Sequence, residues 1–153
     1  MGTIGGGDFI TWEARFSVGI PLMDLQHKQL IRLTNNLHDA CREGSSSAQE
    51  AFGVAVREVV EYVKMHFSTE EKIMERVAYP DAAAHRCKHR DFVRQVLSEV
   101  SAFQSGRQFV PNRFTNFLRN WILEHIAETD KVMGAYVVKL AREGQFDSVL
   151  HPD

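Results

Sequence analysis

The chain has 153 residues, of which 44% are hydrophobic and 25% are charged, and its formal net charge is -2. These values are typical of one globular domain, and the weak, mixed charge argues against nucleic acid, which requires a clustered basic surface. No apolar run approaches the roughly 20 residues that span a bilayer, and the glycine-rich start lacks the apolar segment of a signal peptide. Only two cysteines occur, Cys41 and Cys87, and they form no CxxC motif, so a reduced, cytoplasmic compartment is expected. From the charge and the apolar runs we expect no binding to nucleic acid or to a membrane.

Apolar residues recur at three- and four-residue steps in four segments, which is the pattern of amphipathic helices. The first predicted helix begins at about Pro21, which suits a first helical turn, and runs to about Arg42, just before Gly44. The second predicted helix runs from about Ala48 to Val77.

The sequence Tyr79-Pro80-Asp81 separates the second helix from a third, which is predicted over residues 82–104. The fourth predicted helix starts near Pro111 and runs to about Arg142. Four helices with short connections predict an all-α, up-down-up-down antiparallel four-helix bundle. The expected organisation is an N-terminal arm packed on the bundle (1–20), the bundle itself (21–143) and a C-terminal tail (144–153).

Each predicted helix carries metal-ligand side chains within its apolar face. They are, in chain order, His27 on the first helix, His66 and Glu70 on the second, His85 and His89 on the third, and His125 and Asp130 on the fourth. Burying seven polar side chains in one core is costly unless each of them has a partner. A metal centre satisfies all seven, and the recurrence of such residues on all four helices makes ordinary core packing a poor explanation.

The spacing within each helix supports this interpretation. Residues at i and i+4 lie about 40° apart around an α-helix, so the pair His66/Glu70 can reach one point beside the helix. The pair His85/His89 has the same spacing. Asp130 follows a histidine at i+5, about 140° away, which is poor geometry for one metal and suits a carboxylate that spans two metals better.

Several other polar residues compete for these roles. Glu71 adjoins Glu70 but lies five residues after His66 and has a poorer angle to it than Glu70 has. Spacing does not exclude Glu128. Asp24 is expected to be solvated rather than close to the metals. The two remaining histidines, His38 and His151, fall outside the pattern and are predicted to lie on the surface.

The number of candidate ligands also indicates which metal, and how many metal ions, the centre would hold. Five imidazoles and two carboxylates are too many for one four-coordinate zinc. Two six-coordinate irons accommodate five imidazoles, two bridging carboxylates and a bridging oxo or hydroxo group, with one position left open for a small ligand. The carboxylate-rich di-iron enzymes use Glu-x-x-His pairs, and no such pair occurs here.

The sequence resembles the hemerythrin family, and its bacterial members in particular. The resemblance rests on Asp24-Leu-Gln-His27-Lys28, His66-Phe67-Ser-Thr-Glu70-Glu71, Tyr79-Pro80 leading to His85-x-x-x-His89, and Trp121-Ile-Leu-Glu-His125-Ile126 leading to Asp130. It implies a non-haem di-iron centre that binds O2 reversibly. It further implies that His85, His89 and His125 bind one iron, that His27 and His66 bind the other, which keeps the open position, and that Glu70 and Asp130 bridge.

Reversible O2 binding requires a dry pocket, since protons and reductants would destroy the bound state. Phe67, Trp121, Ile122 and Ile126 are the candidates for its apolar wall. Storage or delivery of O2 is the first expected function, and we expect no catalysis. The alternatives are an O2- or redox-sensing signalling module and a di-iron enzyme that acts on NO or peroxide. The expected partners are O2 and an unidentified signalling or oxygen-consuming protein.

Overall fold

The computed structural model describes residues 7–42, 46–106 and 111–145, with side chains in the second range described from residue 50. The helices are α1 (Pro21–Arg42), α2 (Ser46–Arg76), α3 (Ala82–Gln104), α4 (Pro111–Glu124) and α5 (Lys131–Arg142), with a π-helical turn, His125–Asp130, between α4 and α5. The predicted all-α four-helix bundle is confirmed, because α4, the π turn and α5 form one continuous fourth helix. In the described ranges, no helix is long and apolar enough to cross a membrane.

The fourth helix differs from the prediction at its centre. Residues 111–142 were expected to form one regular α-helix, but six residues from His125 to Asp130 adopt π-helical hydrogen bonding. A π turn pairs residue i with i+5 rather than i+4 and is frequent at functional sites. The side chains of His125 and Asp130, at the two ends of this turn, therefore face the same side of the helix. The separation of about 140° that a regular α-helix would give them does not apply.

Two apolar clusters occupy opposite ends of the bundle interior. One contains Phe92, Leu118 and Ile122, and the other contains Met23, Met133 and further aliphatic residues. On α1, for example, Met23 precedes His27 and belongs to one cluster, whereas Leu30 follows it and belongs to the other. The histidines and carboxylates thus form a polar layer between two dry apolar layers.

The segment before α1 packs on the bundle through backbone contacts as well as side chains. Ile10, Phe16, Val18 and Ile20 are all buried. Asn35 of α1 forms two hydrogen bonds with Ile10: its side-chain oxygen accepts from the backbone N–H at 2.8 Å, and its Nδ2 donates to the carbonyl at 2.9 Å. These contacts pair the arm with α1, whereas residues 1–6 lie outside the described part of the chain.

Asp24 holds the other end of this segment, which corrects the expectation that it is simply solvated. Its carboxylate accepts hydrogen bonds from the Ser17 hydroxyl at 2.6 Å and from the Val18 N–H at 2.8 Å.

His38 is also more covered than predicted, because its ring stacks on Phe9 with centroids 3.9 Å apart. His151 lies outside the described residues.

Gly134 of α5 allows the arm to approach closely. A Cβ atom at this position would lie 2.2 Å from the carbonyl oxygen of Val18 and 2.9 Å from its Cβ. The helix can therefore touch the backbone of the arm only because residue 134 has no side chain. This contact lies four residues after Asp130, next to the polar layer.

Candidate metal centre

The structure brings all seven predicted ligand side chains into one buried cluster. Each of these residues is between 0 and 5% exposed. Their ligand atoms form two groups, in each of which all atoms lie within 4.8 Å of one another: Glu70, His85, His89, His125 and Asp130 in the first, and His27, His66, Glu70 and Asp130 in the second. We call these the three-histidine group and the two-histidine group. The two carboxylates belong to both groups.

Glu70 directs one oxygen at each group. Its Oε1 lies 2.7 Å from His66 Nε2 and 3.5 Å from His27 Nε2, in the two-histidine group. Its Oε2 lies 2.8 Å from His89 Nε2 and 3.1 Å from His85 Nε2, in the three-histidine group. This division between two clusters of nitrogen atoms is the arrangement that a carboxylate needs to bridge two cations.

Asp130 divides in the same way from the opposite helix. Its Oδ2 lies 3.0 Å from His27 Nε2, whereas its Oδ1 lies 3.0 Å from His125 Nε2 and 3.1 Å from His85 Nε2. The short distance to His125 depends on the π turn, which brings these two side chains together. Glu128, the rival carboxylate, is exposed.

Several ligand atoms are close to one another without forming hydrogen bonds. Both oxygens of Asp130, Oε1 of Glu70 and Nε2 of His27 are buried and have no hydrogen-bond partner among the described residues. Unpaired buried polar atoms are rare and costly. Because these atoms converge in two small groups of nitrogen and oxygen donors, a cation in each group would satisfy them. The residues present therefore fit a two-metal, non-haem centre.

The electrostatics of the cluster favour cations. Burial lowers the pKa of His27, but contact with the charged Asp130 and Glu70 outweighs burial and raises this pKa to about 9. The same opposing effects raise the pKa of His85 to about 9. Burial raises the pKa of Glu70, but the neighbouring imidazoles, His66 above all, hold it well below its usual range. Protons on the imidazoles thus balance the carboxylates without metal, and metal cations would replace those protons.

Two residues outside the predicted ligand set support the histidines. The Nδ1–H of His66 donates to Oε1 of Gln26 at 2.8 Å, and the Nδ1–H of His89 donates to Oε1 of Glu71 at 3.1 Å. Such bonds fix the tautomer of an imidazole and present its Nε2 to a metal. From the sequence, Glu71 is recognisable only as a rival ligand. Gln26 is not recognisable, because Gln26 and His66 lie on different helices and no spacing rule connects them.

The four predicted pocket residues surround the histidines unevenly. Phe67 stacks on His89, with ring centroids 3.7 Å apart, and Trp121 stacks on His125 at 4.2 Å. Both rings therefore contact the three-histidine group, although Phe67 also lies 6.1 Å from the His66 ring. The remaining two, Ile122 and Ile126, are buried in the adjacent apolar cluster.

Surface clefts between described residues reach two of the ligand histidines from outside. A cleft of about 290 Å³ between the start of α3 and the π turn is lined by His85 and Lys88, among others. A wider groove of about 520 Å³ between α2 and α3 is lined by Phe67, Glu71 and His89. Because both histidines are almost fully buried, the clefts end at the imidazoles rather than exposing the centre.

Comparison with known proteins gives one consistent result. The family described as "Hemerythrin HHE cation binding domain" matches residues 18–137. A bacteriohemerythrin of Stenotrophomonas maltophilia is 32% identical over 140 residues, which cover 89% of both chains, and one of Methylococcus capsulatus is 33% identical over 82% of this chain and 94% of its own. A crystal structure of wild-type hemerythrin superposes with a TM-score of 0.79 at 32% identity, covering 84% of this chain and 98% of that one. The chain belongs to the hemerythrin family.

Proposed function

We propose that this chain binds O2 reversibly at a non-haem di-iron centre and that it is an oxygen-binding protein rather than an enzyme. The observation that carries the proposal is the pair of buried ligand groups that share Glu70 and Asp130. Five imidazoles with two shared carboxylates suit two irons better than one zinc. The relatives named bacteriohemerythrin, which match most of the chain, support the same function.

Each group would hold one iron. His85, His89 and His125 would bind the first, His27 and His66 would bind the second, and Glu70 and Asp130 would bridge, together with an oxo or hydroxo group. The second iron would have one protein ligand fewer, and by the hemerythrin pattern we assign it the open position for O2. When bound, the iron pair would supply a redox-active centre that can exchange electrons with O2.

The side chains of this protein would keep the centre dry and rigid. The stacked rings of Phe67 and Trp121 restrict the rotation of His89 and His125. Ile122 and Ile126, at most 2% exposed, add apolar volume on the same side of the polar layer. Exclusion of water slows the delivery of protons, which is the condition for releasing O2 unchanged.

Metal analysis and anaerobic spectroscopy test the proposal directly. We expect two irons per chain and an absorbance change on admitting air that is reversed when O2 is removed. His66→Ala and His89→Ala should lose or halve the iron, because each removes a ligand. His38→Ala is the matched control, since this histidine stacks on Phe9 and belongs to neither group.

Different results point to different functions. One zinc and no iron, in protein produced with ample iron, would contradict the di-iron centre. Iron that is oxidised irreversibly within seconds of contact with air, with continuous consumption of an added reductant, would instead indicate a di-iron enzyme. Stable oxygenation over many minutes is the result expected of a carrier or a storage protein.

A further inference from the structure

Two of the five clustered histidines use the ring nitrogen that faces away from the centre to bond a second side chain, and these two partners differ in charge. His89, of the three-histidine group, donates to the carboxylate of Glu71. His66, of the two-histidine group, donates to the neutral amide of Gln26. The two groups are therefore supported by outer partners of different electrostatic character.

Both bonds leave Nε2 free to face the centre. His89 Nε2 lies 2.8 Å from Glu70 Oε2, and His66 Nε2 lies 2.7 Å from Glu70 Oε1. The Gln26 amide is oriented by its other end, because Nε2 donates to Thr69 Oγ1 at 3.4 Å. Its oxygen is thus left for the His66 N–H, which assigns the amide orientation through the hydrogen-bond network.

The carboxylate should affect a metal bound to His89 more strongly than the amide affects one bound to His66. A carboxylate pulls the imidazole proton towards itself, which makes the other ring nitrogen a stronger electron donor. A neutral amide accepts the same proton with less charge transfer. Phe67, whose ring is within 3° of parallel to that of His89, keeps the imidazole in the plane that this bond requires.

We propose that Glu71 is a positioning residue that acts through His89 to make the metal of the three-histidine group easier to oxidise than the metal of the two-histidine group. The inference rests on the proposed di-iron centre. Glu71 belongs to neither ligand group, and its side chain is 36% exposed at the edge of the groove between α2 and α3. Water therefore screens part of its charge, which makes its effect moderate rather than decisive.

Anaerobic redox titration of the iron-loaded protein, with mediators, tests the charge effect. Glu71→Gln keeps a hydrogen-bond acceptor but removes the negative charge, so the first oxidation should shift to a higher potential while the iron content stays the same. A tenfold change in the ferrous-to-ferric ratio, or about 59 mV for one electron, is the expected size. Gln26→Glu should move the second oxidation in the opposite direction and narrow the gap between the two steps.

Titration of the metal-free protein with Co²⁺ gives a second measurement that does not depend on redox chemistry. Glu71→Ala should weaken binding by about 10- to 100-fold, because the imidazole loses its orienting partner, and Glu71→Gln should restore most of the affinity. Glu128→Gln is the matched control: it removes the same charge from an exposed residue two positions before Asp130. It should leave the affinity and both potentials unchanged.

The outcomes separate the two proposals. Equal potentials in Glu71→Gln and the unmutated protein would overturn the inference, as would a shift of the same size in Glu128→Gln. Unmutated protein that holds two irons but does not respond to O2 would contradict the proposed function instead. Because the titration is anaerobic, the effect of Glu71 would still be measured in that case.

Discussion

Gly134→Ala should destabilise the protein, although alanine is the better helix former. Residue 134 lies inside α5, where replacing glycine by alanine would ordinarily gain about 1 kcal/mol. Here the new Cβ would lie 2.2 Å from the carbonyl oxygen of Val18. No rotamer can relieve this clash, since a Cβ position is fixed by the backbone. Either the arm or the helix must move.

The arm has little freedom to move, which sets the size of the effect. The Val18 N–H and the Ser17 hydroxyl both bond the carboxylate of Asp24, and Lys131 Nζ donates to the Arg15 carbonyl at 2.9 Å. Overpacking costs about 1–3 kcal/mol, and losing one hydrogen bond to a charged group costs about 1.5–3 kcal/mol. After the gain of about 1 kcal/mol in helix propensity, the two costs together leave a net loss of about 3 kcal/mol, or roughly 6–12 °C in Tm for a chain of this length.

Gly53→Ala is the matched control, because its Cβ would lie 3.7 Å from the Phe103 ring, an ordinary contact. It should stabilise α2 by about 0.5–1 kcal/mol. The measurement is thermal unfolding followed by circular dichroism, with both variants at the same metal loading because bound metal raises Tm. If Gly134→Ala raises Tm as Gly53→Ala does, the arm does not pack against α5 as described and the reasoning is refuted.

Three further predictions concern the centre. Metal-free protein should unfold at a lower temperature than iron-loaded protein, since metal bound only to the native state stabilises it; coincident unfolding curves would mean that the ligands are not buried. His27 and His85, whose pKa values are raised from 6.5 to about 9, stabilise the metal-free fold fully below pH 6.5. Urea unfolding should show this stability being lost as the pH rises to about 9. Metal binding at pH 7 should release protons, which an indicator dye detects. An unchanged urea midpoint together with no proton release would contradict the raised pKa values of the two histidines. Ile126→Glu should retain two irons but accelerate the loss of the O2-bound spectrum in stopped-flow absorbance, because a buried carboxylate admits water and a proton donor. Val132→Glu, at a position that is 60% exposed, should leave that rate unchanged, and equal rates in both variants would remove Ile126 from the pocket wall.

The difference between the outer partners bears on how O2 binding would be reversible. The histidine next to a carboxylate belongs to the three-histidine group, and the histidine next to an amide belongs to the two-histidine group, to which we assign the open position. If the three-histidine group holds the metal that is easier to oxidise and the two-histidine group holds the metal that is open to O2, electron supply and ligand binding would be divided between the two sites. Glu71 and Gln26 would then set this division without touching the ligand.

The sequence by itself determined the helices and the identity of the clustered side chains. Apolar periodicity is a local property, so it located all four helical segments to within about two residues. The pairs His66/Glu70 and His85/His89 follow from the same local geometry, since four residues make about one helical turn. Ligand-type residues on apolar faces were recognisable because burying them without partners is too costly.

Only the tertiary structure decided what depends on contacts between helices or on local departures from the α-helix. The π turn could not be predicted from the sequence. It gives up regular α-helical hydrogen bonds, and this is favourable only because it places His125 and Asp130 together in the assembled centre. The hydrogen bond between Gln26 and His66 could not be predicted for a similar reason, since the two residues lie 40 positions apart in the chain. The sequence alone predicts a solvated Asp24, whereas the folded arm places the Ser17 hydroxyl against its carboxylate. In each case the decisive interaction joins residues that are brought together by the packed bundle and not by the chain.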